Sequence, residues 1–175
     1  MRRNDFEERY IVGPPILITK FTMTILYKIL TLLINIAGIF LAICLVLSLP
    51  MLVSSPLNML SGFMLVCIIL YAWFSNKFQK QVLQQQKVVN KSLRDWIRVN
   101  GIVSLIYSSV IIAGMLVFLQ QPQTLVDQMK TMGVIVPVNS IQMMLSILLV
   151  FGIVLFVHII WTFTLVKKNS SFFIP

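Results

Sequence analysis

His158 is the one side chain in the long apolar stretches of this chain with a ring nitrogen able to ligate a metal, hold a haem or relay a proton. Its neighbours one helical turn away, Val154, Trp161 and Thr162, include no carboxylate to orient it. The chain carries five acids, Asp5, Glu7, Glu8, Asp95 and Asp127, and none falls inside an apolar block. Paired-carboxylate catalysis and the buried acid of a proton-coupled carrier therefore both lack their residues. There is no His-Glu-x-x-His, no Gly-x-Ser-x-Gly and no glycine-rich phosphate loop. Cys44 and Cys67 stand apart within apolar runs and read as small buried side chains. Met51, Met59, Met129, Met132, Met143 and Met144 gather toward one side. Thioethers bind cuprous copper, but no Cys or His joins them there, and flexible packing is the commoner use of Met. The expectation is a non-enzymatic protein with no cofactor and no metal site.

What positions these residues is set by composition. Of 175 residues, 58% are hydrophobic and only 11% charged, against roughly half and about a quarter in soluble domains. Mean hydropathy is +0.94. Such a chain cannot cover itself with polar surface in water, which excludes a soluble enzyme, a disordered tail and a disulfide-rich secreted module. Four blocks reach the roughly 20 apolar residues that a membrane helix needs: 25–49, 59–76, 99–119 and 141–166. None contains a proline. The expected fold is all-α: a polytopic membrane protein with four transmembrane helices in an antiparallel bundle.

The basic residues give it a direction. All but Lys130 of the 14 Lys and Arg flank the spans on one side: Arg2, Arg3, Arg9, Lys20 and Lys28; then Lys77, Lys80, Lys87, Lys91, Arg94 and Arg98; then Lys167 and Lys168. Cytoplasmic segments carry this excess, so both termini are expected in the cytoplasm. The chain then divides into a cytoplasmic segment 1–24 with an amphipathic lead-in, a transmembrane domain 25–166 and a cytoplasmic tail 167–175. Residues 50–58 form a short outer loop. Residues 120–140 form a longer one, where Pro122 opens and Gly133 closes a short interfacial helix carrying Leu125, Val126, Met129 and Met132.

Residues 77–98 form an inner basic hairpin. Phe78, Val82, Val89, Leu93 and Trp96 make a helical apolar stripe, and Ser92 to Asp95 has the form of a capping box, which predicts that the third helix starts at Leu93. Asn4 followed by Glu7 predicts another helix start. The net charge of +9 is placed around the spans, so anionic headgroups rather than nucleic acid are the expected partner. Lys77, Lys80, Lys87, Lys91, Arg94, Trp96 and Arg98 are the candidate contacts to headgroups or to a partner protein.

Within the spans, the helix rise of 1.5 Å per residue puts Asn35, Tyr107 and His158 at one depth, roughly 10–12 Å from the inner edge, with Tyr71 slightly nearer the surface. Unpaired polar groups are costly in hydrocarbon, so these four are expected to face one another as a buried polar layer. Gly38 and Ala42, Ser104 and Ser108, and Ser109 and Ala113 are small pairs four apart that let helices approach closely.

These features favour a small accessory or scaffold subunit of a cell membrane, a bacterial inner membrane before an organelle one, that binds another membrane protein, itself or anionic lipid. Two other readings carry their own discriminators. An oligomeric channel or small-solute transporter needs the serine-rich face of the third helix, with Asn100 and Tyr107, turned to water. A haem-binding redox subunit needs a free nitrogen on His158.

Overall fold

The computed structural model describes residues 15–131, 133–134 and 136–174, with side chains from Ile25 onward. The Asn4–Glu7 start signal lies outside the described residues, and Met132 with it. Four helices are long and apolar enough to cross a membrane: α1 (Pro15–Leu52), α2 (Pro56–Phe78), α3 (Lys91–Gln120) and α5 (Val138–Lys168). A short α4 (Pro122–Thr131) lies between the last two. The fold is all-α, as the unbroken hydropathy of the four blocks demands.

The helices overrun their hydropathic cores. The apolar spans run 28 to 31 residues, roughly 42–47 Å at the helical rise, against about 30 Å of hydrocarbon. The segment 16–24, expected as a separate lead-in, is the first part of α1 with no break in the backbone. At its other end α1 continues through Pro50 to Leu52, where a loop was expected. A proline in the last turn denies a partner to one carbonyl only, so the helix runs three residues further. Ser55 then caps α2 by accepting from the Asn58 amide at 3.2 Å, with Pro56 next to it. Asn58 Nδ2 donates back to the Met51 carbonyl and to Ser54 Oγ, both at 3.1 Å. The connection shrinks to three residues, and α1 and α2 pack along each other.

Beyond Phe78 the helix widens into a π-helical segment, Gln79–Gln84, and the chain then reverses at Gln86, whose φ is 49°. Strand β1 (Val89–Asn90) follows and pairs in parallel with β2 (Phe173–Ile174) at the C-terminal end, Val89 opposite Phe173. This pairing holds Asn90 extended at φ −65°, ψ 141°, and its Oδ1 accepts from the Ser92 amide at 2.8 Å. The cap of α3 is thus Asn90, and the helix starts at Lys91 rather than at Leu93 behind a Ser92 capping box. Phe173 is buried and stacks on Phe78, with ring centroids 6.1 Å apart. The segment expected to be a plain tail is therefore tied into the end of the helices that carries residues 77–98.

Helix α3 packs chiefly on α5, with α2 on α3 and α1 on α2 and α5. At Gly38 a side-chain carbon would lie 3.0 Å from Ala72 Cβ, so glycine sets the approach of α1 to α2. Helix α4 opens at Pro122 and ends in a Schellman motif: Val134 N–H donates to the Met129 carbonyl at 2.9 Å and Gly133 N–H to that of Lys130 at 3.0 Å, with Gly133 at φ +79°. Leu125, Val126 and Met129 are its half-buried side, and α4 leans on α5 and α3.

Candidate functional site

Five polar side chains are buried together between three of the helices. Tyr27 and Thr31 on α1, Tyr71 on α2, and His158 and Thr162 on α5 are all 2% exposed or less. Thr31 and Thr162 each donate to the carbonyl one turn back, to Tyr27 at 2.9 Å and to His158 at 2.8 Å. Helical threonines do this readily, because their Oγ1 reaches the preceding turn. Their oxygens then remain as acceptors toward the neighbouring helices. Thr31 Oγ1 lies 2.9 Å from His158 Nε2 and accepts from it, while Tyr27 Oη lies 3.0 Å from Thr162 Oγ1. Tyr71 Oη is shared between His158 Nδ1 and Thr162 Oγ1, at 2.9 Å from each. Tyr27 also stacks on the imidazole, centroids 5.0 Å apart and planes 8° from parallel.

Both ring nitrogens of His158 are thus occupied by hydroxyls of other helices. A haem iron or a metal would have to displace Thr31 or Tyr71 to reach one, and among the described residues no group of three His, Cys, Asp or Glu could hold a metal. The arrangement can join three helices through neutral hydrogen bonds in a water-poor interior. With Nε2 protonated, the single Tyr71 hydroxyl proton has two acceptors within reach, Nδ1 and Thr162 Oγ1, and satisfies one at a time.

The structure brings together Tyr71 and His158 of the four residues expected to form the layer. Asn35 is half-buried one turn beyond Thr31, and Tyr107 is half-buried on the flank of α3; neither joins the network among the described residues. The helical rise gives depth but not azimuth. Tyr107 sits about 60° around the helix from buried Ser104 and about 100° from buried Ser108, at the margin of the buried face. Tyr27, Thr31 and Thr162 fill the layer instead. Their signal was in the sequence: Tyr27/Thr31 and His158/Thr162 are hydrogen-bonding pairs four apart, one pair on each of two helices.

Of the serine-rich face of α3, Asn100, Ser104 and Ser108 point inward, while Ser109 is exposed and Tyr107 half-buried. Ser104 and Ser108 are fully buried and Asn100 is 3% exposed. Asn100 Nδ2 donates to the Trp96 carbonyl at 2.9 Å and Ser108 Oγ to that of Leu105 at 2.8 Å. Ser109 and Ala113, expected as a packing pair, are exposed, and Ala42 is half-buried. Ser104 Oγ finds no partner among the described residues. Ser104→Ala removes a desolvated hydroxyl without opening a large cavity, so stability should hold or rise by up to about 1 kcal/mol. Unfolding of the purified protein in an SDS titration measures it; a clear loss would reveal a partner for that hydroxyl.

At the end of the helices formed by residues 77–98, Lys77, Lys80, Lys87, Lys91, Trp96 and Arg98 are exposed, and Arg94 is half-buried with its Nε 3.2 Å from Asp95 Oδ1. Phe74 stacks between Trp73 and Trp96, with centroids 5.5 and 5.6 Å apart. No protein-family model, curated protein or solved structure matches the chain.

Proposed function

We propose that this chain is a non-catalytic membrane subunit, an antiparallel four-helix bundle with both termini in the cytoplasm, that acts as an accessory or scaffold for another membrane protein. The observation that carries this reading is the inward turn of the polar side chains. Ser104, Ser108 and His158 are fully buried against the chain's own helices. A pore shared between copies needs the serine face turned to water, and a haem needs a free His158 nitrogen. What remains for interaction is the outer surface: apolar helix flanks, and a basic end where the strand pair draws the C-terminal residues beside 77–98. Lys167 and Lys168 precede that strand pair, so their charges gather with those of Lys77 to Arg98 at one end, which supports the cytoplasmic placement of both. A bacterial inner membrane suits that charge bias.

Purification in a gentle detergent followed by mass spectrometry tests the proposal. The expected result is one larger membrane protein recovered reproducibly at a fixed ratio. A homo-oligomer recovered alone would contradict it and favour a channel.

A further inference from the structure

A groove opens on the basic end, between the last turns of α2 and the first turns of α3. Its deeper part, about 330 Å³, is bounded by Phe74, Lys77, Gln81 and Leu93. A shallower part of about 560 Å³ continues past Trp96 over Lys91, Asp95 and Val99. Asn90, Ser92 and Trp96 belong to both, so the two are one continuous depression. Such volumes suit a small-molecule headgroup.

Three zones follow one another along it. The rim carries exposed Lys77 in the deeper part and exposed Lys91 in the shallower part; Asp95, which shares the shallower part, has one carboxylate oxygen 3.2 Å from Arg94 Nε. The middle is aromatic. Trp96 lies five residues into α3, about 7 Å along its axis, and stacks on Phe74, which stacks on Trp73. Tryptophan at this level marks the boundary between headgroup and hydrocarbon. Below Trp96 the same flank of α3 is an exposed apolar stripe, Val99, Ile102, Ile106 and Val110, spaced three or four apart. Cation, aromatic ring and aliphatic track match the phosphate, glycerol level and acyl chain of a lipid, in order.

We propose that this groove holds one anionic phospholipid, its phosphate between Lys77 and Lys91 and an acyl chain along the α3 stripe below Trp96. The proposal rests on the membrane reading above and gives that reading a specific lipid partner. Charge complementarity selects the lipid: two exposed lysines border a groove that opens onto an apolar track. A soluble phosphate compound would leave the track bare.

Native mass spectrometry of the full-length protein, released from micelles doped with either phosphatidylglycerol or phosphatidylcholine, tests it. The expected result is one phosphatidylglycerol retained after washing, and no phosphatidylcholine. The double variant Lys77→Gln/Lys91→Gln should lower retention on the order of tenfold, and Trp96→Ala should lower it with all cations in place. Lys167→Gln/Lys168→Gln, which removes two charges away from the groove, should leave it unchanged. Equal losses from the two lysine pairs, equal retention of both lipids, or displacement by excess glycerol 3-phosphate would each overturn the proposal. Recovery of a stoichiometric protein partner without retained phosphatidylglycerol would overturn the lipid site while leaving the scaffold function standing.

Discussion

His158→Ala should destabilise the folded protein by about 2–4 kcal/mol. The imidazole is fully buried and stacked on Tyr27, so its removal leaves a cavity and takes away packed surface. It also strips the neighbours at 2.9 Å from Thr31 Oγ1 and Tyr71 Oη. Tyr71 retains Thr162, and Thr31 still donates to the Tyr27 carbonyl, so the hydrogen-bond share of the loss is partial. Interhelical hydrogen bonds in membrane proteins average roughly 0.6 kcal/mol and reach about 1.7 in double-mutant cycles. The cavity therefore carries more of the effect than the polar contacts do. A cycle of His158→Ala with Tyr71→Phe, read by SDS-titration unfolding, should give a coupling on the order of 1 kcal/mol. Independent effects would mean that the two side chains do not share the bond seen between them.

Gly38→Leu should be comparably severe for a different reason. A carbon added at Gly38 meets Ala72 Cβ at 3.0 Å, and that atom is fixed to the backbone of α2. No rotamer relieves the contact, so α2 must give by a few tenths of an ångström at Ala72 and the remaining leucine carbons need room beyond that. Overpacking of this kind costs about 1–3 kcal/mol in well-packed cores, and the extra leucine carbons place it at the upper end. Gly38→Ala should cost less, and Ala72→Gly in the same chain should restore most of that loss by vacating the opposing position. The contrast is Gly114→Ala, where nothing lies within 4 Å; there the gain in helix propensity should leave stability unchanged or slightly raised. Similar losses at positions 38 and 114 would show that helix approach is not set at Gly38.

The four apolar helices were legible because hydropathy sums over some twenty residues, and no single side chain decides it. Helix ends depend on one or two local contacts and were not. Pro50 read as a stop because its ring denies an amide, yet at a last turn that denial is cheap. Ser92 to Asp95 matched a capping pattern, but Asn90 took the cap because β1 had already extended it, and β1 exists only through its partner Phe173–Ile174, more than eighty residues away. No local pattern reports a two-residue strand made by such a pairing. The polar layer was half legible. Counting residues from a span edge placed Tyr71 near His158, which it contacts, but it also took Asn35 and Tyr107 for neighbours because such a count carries no azimuth. Matching Tyr27/Thr31 against His158/Thr162 would have supplied the azimuth, since each pair defines one face of its helix.

The central claim is that Ser104, Ser108 and the hydrogen-bonded group around His158 are folded into a water-poor interior instead of lining an aqueous path. Thiol accessibility in native membranes tests it most directly. In a chain freed of Cys44 and Cys67, Ser104→Cys and Ser92→Cys are each exposed to a small charged methanethiosulfonate reagent. Ser92 is exposed at the start of α3 and Ser104 is fully buried three turns on. The account predicts complete modification at position 92 and none at position 104 over the same time. Modification at position 104 at a comparable rate would mean that water reaches the serine face, and a closed scaffold would give way to a channel.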